Sequence, residues 1–257
     1  MKLVVLKFGG TSVGTIKKIE KVAEIIKKFK KKKYSVIVVS SAMSGVTNTL
    51  IKKSKEICEN FSEAEYDVLV SSGEQVACSL IAGRLQHLGL NSRSWLAWQI
   101  PILTSGPHKN SRIIKISKNK IINFLKDDGI PVITGFQGIN TVNRVTTLGR
   151  GGSDASAILI AKFFDAEKCI IYTDVEGVYT TDPNKLKKAK KISVISYEEM
   201  LEMASLGAKV MQPVSIQDAR LNRINIEVKS SFKKKAGTLI TKRKNIINNK
   251  IIAGVSS

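Results

Sequence analysis

Residues 3–12 read Leu3-Val4-Val5-Leu6-Lys7-Phe8-Gly9-Gly10-Thr11-Ser12. An apolar, partly β-branched run is broken by one lysine and stops at paired glycines, so Leu3–Phe8 reads as a buried strand ending in a tight turn. The period then changes. Ile16, Ile19, Ala23, Ile26 and Phe29 recur at helical spacing within Thr15–Lys33, with lysines between them. Ser35–Ser40 is a second strand, rich in Val and Ile. A small-residue loop, Ser41-Ala42-Met43-Ser44-Gly45, leads from it into a helix from about Val46. Strand, helix and strand in that order form the unit of a parallel sheet.

The rest of the chain continues the alternation. Helices are expected at Ala64–Ser71, Glu74–Leu88, Ser117–Asp127, Ala155–Phe163, Ser196–Ser205 and Val214–Leu221. Strands are expected at Ser92–Trp98, Pro101–Thr104, Pro131–Thr134, Lys168–Tyr172, Asn225–Lys229 and Thr238–Ile240. Gly135–Thr146 reads as a turn-rich polar segment and Thr173–Pro183 as a loop. The prediction is an α/β fold, with a mainly parallel central sheet covered on both faces by helices. In such open sheets ligands bind outside the carboxyl ends of the strands. That rule selects the loops after Phe8, Ser40, Thr134 and Tyr172, where Gly, Ser, Thr and Asp concentrate.

Composition excludes several classes. The 257 residues, 43% hydrophobic, suffice for a large core and lie near the upper end for one domain. No apolar run approaches the roughly 20 residues needed to cross a bilayer. The N-terminal stretch is charged at Lys2 and Lys7 and has no signal-peptide core, so a cytoplasmic location and no membrane partner are expected. Cys58, Cys78 and Cys169 are far apart, and His87 and His108 are the two histidines. A zinc site is not expected, and the thiols fit a reducing compartment. The formal net charge is +21, which invites a nucleic-acid reading. Against it, eight of the 42 basic residues are Arg and aromatics amount to 6%. Forked phosphate contacts and stacking platforms are therefore scarce, and no nucleic-acid partner is expected. A positive field still attracts small anions.

Three loops carry candidate chemistry. In the first, Lys7 ends a strand, and Gly9 and Gly10 allow a phosphate to approach backbone N–H groups closely. A lysine there can neutralise a transferring phosphoryl group, although paired glycines also make an ordinary turn. The second, Gly149-Arg150-Gly151-Gly152-Ser153-Asp154, opens a helix, and a helix N-terminus favours anions. Ser153 or Asp154 can serve simply as a cap. Arg150 within glycines suits bidentate recognition of carboxylate or phosphate. The third, Thr173-Asp174-Val175-Glu176-Gly177-Val178-Tyr179-Thr180-Thr181-Asp182-Pro183, can hold a base and ribose, or can be a polar surface loop. None of them is a Walker A loop or the dinucleotide glycine pattern, and the protein-kinase triads are absent.

Read together, these motifs resemble the signatures of the aspartate kinases. Lys7-Phe8-Gly9-Gly10-Thr11-Ser12-Val13 is similar to the N-terminal signature. Thr146–Asp154 is similar to the central one and Thr173–Pro183 to the nucleotide loop. Ser72-Gly73-Glu74, Gly135-Phe136-Gln137-Gly138 and Gly207-Ala208-Lys209-Val210 follow in the family's order. The resemblance implies a three-layer α/β/α sandwich, the amino acid kinase (carbamate kinase-like) fold. It implies transfer of the γ-phosphoryl group of ATP to the side-chain carboxylate of aspartate, early in lysine, threonine, methionine and diaminopimelate biosynthesis.

The resemblance further implies roles. Lys7, Gly9, Gly10 and Asp154 would form the catalytic set, with Asp154 orienting Lys7. Glu74 would bind the acceptor's ammonium and Arg150 its α-carboxylate, with Ser41, Thr47, Phe136 and Ser153 completing the pocket. Glu74 can also be read as a helix-start cap. Lys7, Gly10, Thr173, Asp174, Tyr179, Asp182 and Lys209 would hold ATP. Mg²⁺ would be carried by the phosphates and water, with no protein ligand. The family's Asp-Pro-Arg is here Asp182-Pro183-Asn184, which puts one phosphate contact in question, with Lys185 nearby. Residues 1–242 are expected as the catalytic domain. Residues 243–257 are expected as a Lys/Asn-rich tail leading to an ACT regulatory region that is absent or truncated. Partners would be aspartate and ATP, with a homo-oligomer left open. The rival readings are a sister kinase acting on glutamate, acetylglutamate or UMP, and a non-catalytic basic binding protein.

Overall fold

The computed structural model describes residues 2–183, 185–208 and 210–242. Its strands are β1 (Leu3–Phe8), β2 (Ser35–Ser40), β3 (Ser92–Trp95), β4 (Ile102–Ser105), β5 (Arg112–Ile116), β6 (Ile130–Thr134), β7 (Gln137–Ile139), β8 (Val145–Thr147), β9 (Lys168–Thr173), β10 (Val194–Ser196), β11 (Ile226–Ser230) and β12 (Thr238–Thr241). The helices are α1 (Ile16–Lys31), α2 (Val46–Ile57), α3 (Glu63–His87), α4 (Asn119–Lys126), α5 (Gly152–Phe163), α6 (Tyr197–Ser205) and α7 (Pro213–Asn222).

An eight-stranded sheet runs β10-β12-β11-β9-β1-β2-β6-β3, with every neighbouring pair parallel except β11 and β12. β1 to β12 are thus not in chain order: β2 lies on one side of β1 and β9 on the other, which opens a crevice at the carboxyl end of β1. The four loops selected from the sequence leave four adjacent strands, β9, β1, β2 and β6. The expected mainly parallel sheet is therefore present.

Side-chain alternation divides the core into two layers. Val4, Leu6 and Phe8 face one way and pack with Ile19, Val22 and Ile26 of α1 and with Ala77, Cys78 and Ile81 of α3. Leu3 and Val5 face the other way and pack with Ala157, Ile158 and Ala161 of α5, in a layer that includes α4, α6 and α7. This is the expected α/β/α sandwich. At roughly 25 cal/mol per Å² of apolar surface, burial in these two layers is the dominant stabilising term.

Two expectations are corrected, and two short strands are added. Ala64–Ser71 and Glu74–Leu88 are one helix, α3, which runs unbroken through Ser72-Gly73-Glu74. The turn-rich segment Gly135–Thr146 forms the antiparallel pair β7 and β8. With β4 and the unexpected β5, it makes a second sheet of order β5-β4-β7-β8. β10 is a short strand just before the expected helix at Ser196–Ser205, where no element was expected. Among the described residues no helix is long and apolar enough to cross a membrane.

Gly73 lies inside α3 because the loop after β2 crosses it closely. A Cβ there would sit 2.8 Å from Ala42 Cβ and 3.2 Å from Val46 Cγ1. Helix propensity alone makes Gly→Ala favourable by about 1 kcal/mol. Forcing a methyl group into a packed contact costs about 1–3 kcal/mol, so the clash wins. Gly73→Ala is expected to lower stability in urea unfolding, and a stabilised variant would show that the loop yields freely.

Candidate active site

Lys7 is the penultimate residue of β1, and by alternation its side chain lies on the α5 side of the sheet. It is 7% exposed. α5 begins after Gly149-Arg150-Gly151 and carries Asp154 in its first turn. Lys7 Nζ lies 2.5 Å from Asp154 Oδ1, and the two side chains are 9% and 13% exposed. The pair is desolvated, so losing either member would strand a buried charge. Lys7 and Asp154 are 147 positions apart in sequence, and the register of β1 against α5 brings them together.

Gly9 and Gly10 form the turn after β1. The Gly9 N–H donates to the Tyr172 carbonyl (3.1 Å), so it is already committed to the sheet. Gly10 cannot carry a side chain, because a Cβ would lie 2.8 Å from the Ala42 carbonyl oxygen. Its own carbonyl accepts from the Ser44 N–H (3.1 Å), which ties the loop after β1 to the loop after β2.

Glu74, near the middle of α3, is 3% exposed. Its Oε1 accepts from the Ala42 N–H at 2.9 Å. Its Oε2 is buried and has no hydrogen-bond partner among the described residues. Burial pushes its carboxyl up to about 7, and the Ala42 N–H and the Lys7 charge offset this in part. The helix is continuous here, so Glu74 is not an N-terminal cap. A buried carboxylate with one oxygen unbonded is costly unless something else supplies a donor.

These groups open into one cavity of about 820 Å³. Lys7, Gly10, Ser41, Thr47, Glu74, Phe136, Arg150, Ser153 and Asp154 all line it. Arg150 is exposed within it. Phe136 holds a left-handed backbone, φ 68°, unusual for an aromatic residue. Its N–H donates to Ser156 Oγ (3.0 Å) and its carbonyl accepts from the Leu148 N–H (3.0 Å), so α5 and the loop before it fix it. The acceptor-side and catalytic residues named from the sequence therefore converge, except Gly9, which does not line the cavity.

Of the nucleotide set, Lys7 and Gly10 line this cavity and the other described members lie apart. Thr173 ends β9, Asp174, Tyr179 and Asp182 lie on the loop after it, and none of the four lines this cavity. That loop leaves the sheet beside Gly9, since Phe8 pairs in register with Tyr172. Thr173 Oγ1 donates to Asp174 Oδ1 (3.0 Å), and Tyr179 OH donates to Glu176 Oε2 (3.4 Å). Hydrogen bonds from Lys233 and Lys235 hold the Glu176 carboxyl down to about 2. Lys209 and Asn184 lie outside the described residues, as does the tail from 243 to 257.

Other lining residues were given no role from the sequence, among them Tyr66, Lys109, Asn110 and Thr147. His108, one of two histidines, sits among them in the loop between β4 and β5 and was the available signal.

A family model, the amino acid kinase family, matches residues 2–230. The aspartokinase of Rickettsia bellii is 47% identical over 261 residues, covering all of this chain and 64% of that protein. The chain thus spans less than two thirds of the length of such relatives. Among solved structures, aspartate kinase from Synechocystis aligns with a TM-score of 0.83 at 38% identity, over 93% of this chain and 40% of that one. E. coli aspartokinase III in complex with aspartate and ADP aligns at 0.82 and 28% identity, over 93% of this chain and 64% of that one. Carbamate kinase from Giardia lamblia shares the fold at 0.67 and 17% identity, over 94% of this chain and 98% of that one.

Proposed function

The chain belongs to the amino acid kinase family, and from that premise we propose that it transfers the γ-phosphoryl group of MgATP to the side-chain carboxylate of L-aspartate, giving 4-phospho-L-aspartate and ADP. The observation that carries this reading is one cavity holding both a buried Lys7–Asp154 ion pair and a buried Glu74 whose Oε2 has no partner.

An acceptor that is a free α-amino acid brings an ammonium group, an α-carboxylate and a third group that reacts. Glu74 Oε2 takes the ammonium, which supplies the missing donors. Arg150 takes the α-carboxylate through its fork. Ser41, Thr47 and Ser153 supply hydroxyls, and Phe136 forms a wall. The reacting carboxylate is then directed towards Lys7. Its ordinary pKa is near 4, so it is ionised at neutral pH and no base need remove a proton. One of its oxygens forms the new bond to the γ-phosphorus. The bond from that phosphorus to the β–γ bridging oxygen breaks, and the electron pair leaves with ADP.

Lys7, held by Asp154, neutralises charge on the transferring group, and the Gly10 N–H adds a donor. Thr173, Asp174, Tyr179 and Asp182, with Lys209, bind the nucleotide. Among the described residues no three carboxylate, imidazole or thiol groups converge as a metal cage. The Mg²⁺ that accompanies ATP fits this donor set as an ion held by phosphate oxygens and water, where it supplies charge neutralisation.

The test is ADP release, followed with aspartate, glutamate, acetylglutamate and UMP as acceptors. Aspartate is expected to exceed acetylglutamate by at least about 10²-fold in kcat/KM, because blocking the amine leaves Glu74 buried and unpaired. Background rates with aspartate beside clear turnover of another acceptor would refute the assignment.

A further inference from the structure

α3 carries two buried carboxylates on one face, and the acceptor chemistry accounts for one of them. The other is Asp67, seven residues before Glu74. It is fully buried, and it does not line the cavity. Its Oδ1 accepts from Thr147 Oγ1–H (2.6 Å) and from the Lys109 N–H (3.1 Å). Its Oδ2 accepts from His108 Nδ1 (2.7 Å) and from the N–H groups of Lys109 and Thr147 (both 3.1 Å). A desolvated carboxylate survives only where its lone pairs are filled, and here both oxygens are.

The donors come from two segments separated by about 40 and 80 residues from Asp67 in sequence, the β4–β5 loop and the end of β8. The loop is held at further points. Lys109 has a left-handed backbone, φ 63°. Its Nζ lies 3.2 Å from Glu63 Oε1 and 4.8 Å from the centre of the Tyr66 ring. What this clamp holds is cavity wall: Tyr66, Lys109, Asn110 and Thr147 all line it. Thr147 lies three residues before Arg150. Asn110 Oδ1 would be 3.2 Å from a Cβ at Gly149, so the clamped loop packs directly on the glycine loop that presents Arg150.

We propose that Asp67 is a positioning residue for the acceptor: it fixes the β4–β5 loop and the exit of β8, and so places Asn110 and Arg150 without touching the acceptor itself. This rests on reading the cavity as the acceptor site. Asp67→Asn keeps the shape but turns one acceptor oxygen into a donor facing other donors. His108→Ala removes one strut, and His108→Asn restores a donor near the position of Nδ1.

The variants are compared in the whole chain by steady-state kinetics with aspartate and ATP, and by amide hydrogen exchange of residues 106–111 and 147–151. His108→Ala is expected to raise the KM for aspartate about tenfold, with kcat and the KM for ATP changed less than about threefold, because displacement of a positioned group costs that much or more. His108→Asn is expected to return the KM to within about twofold of the parent. Exchange should quicken in both segments and stay unchanged in β1 and α1. An unchanged KM for aspartate in His108→Ala overturns the proposal. So does a parallel fall of every kinetic parameter with no rescue by His108→Asn, the mark of a merely structural contact. If Asp67→Asn fails to fold, the His108 pair decides. If the parent chain turns over no acceptor, the functional reading has failed separately, and unchanged exchange in the two segments of His108→Ala overturns the clamp.

Discussion

Lys7→Met is expected to lower kcat for phosphoryl transfer by about 10³-fold or more, with the KM for the acceptor changed only a few-fold. Lys7 is the cation buried in the cavity beside the point where charge moves from attacking to leaving oxygen. Its loss falls on the transition state more than on the ground state, which predicts an effect on kcat. The substitution also leaves Asp154 without its partner, at about 3–5 kcal/mol of stability. Stability and catalysis therefore have to be separated. The double variant Lys7→Met with Asp154→Asn removes both charges and should recover most of the lost stability in urea unfolding while recovering none of the rate. Retention of activity within tenfold in Lys7→Met would remove Lys7 from the mechanism.

Glu74→Gln should have effects of opposite sign on binding and on stability. An ammonium paired with a buried carboxylate contributes about 2–5 kcal/mol, so the KM for aspartate should rise by about 10²-fold. The parent's KM should itself fall as pH rises through about 7, where the free carboxyl ionises. The fold responds in the other direction. Burial raises the folded-state value from the ordinary 4.5 to about 7, so the folded chain binds this proton more tightly than the unfolded one. The stabilising contribution is present below pH 4.5 and is lost as pH rises towards 7. At pH 8 the ionised group costs on the order of 3 kcal/mol, which glutamine avoids. Glu74→Gln should therefore be more stable than its parent in urea at pH 8 and nearly equal to it at pH 4.5. An equal difference at both pH values would contradict this.

The sequence carries some of these features on its face and hides others. β1, β2, β6 and β9 were legible because each is a run of residues largely buried on both faces that gives way to Gly, Ser or Asp. In the small sheet only β4 was legible. β7 and β8 are three-residue strands with one apolar residue each, Ile139 and Val145, and they are held by pairing and by the buried Thr104–Thr146 hydroxyl contact (2.6 Å) rather than by an apolar run. α3 was split at Ser72-Gly73 because a glycine between two helical patterns reads as a stop. Here it reflects the approach of Ala42, which no local pattern reports. Lys7, Glu74, Arg150 and Asp154 were legible through a family resemblance, since each sits in a short motif. Asp67 was not, because the donors that give it meaning lie far away in sequence.

Because α3 is unbroken between Asp67 and Glu74, the two carboxylates are spaced by a ruler. Seven residues at 1.5 Å each set them about 10.5 Å apart along the axis, and close to two full turns return them to the same side. Adding or deleting one residue between 68 and 73 would swing one carboxylate by about 100° relative to the other, out of either the clamp or the cavity. The exposed linker before α3 has no such gauge to keep. Length variation that is harmless at residues 58–62 would separate the wall of the cavity from its floor if it fell a few residues later.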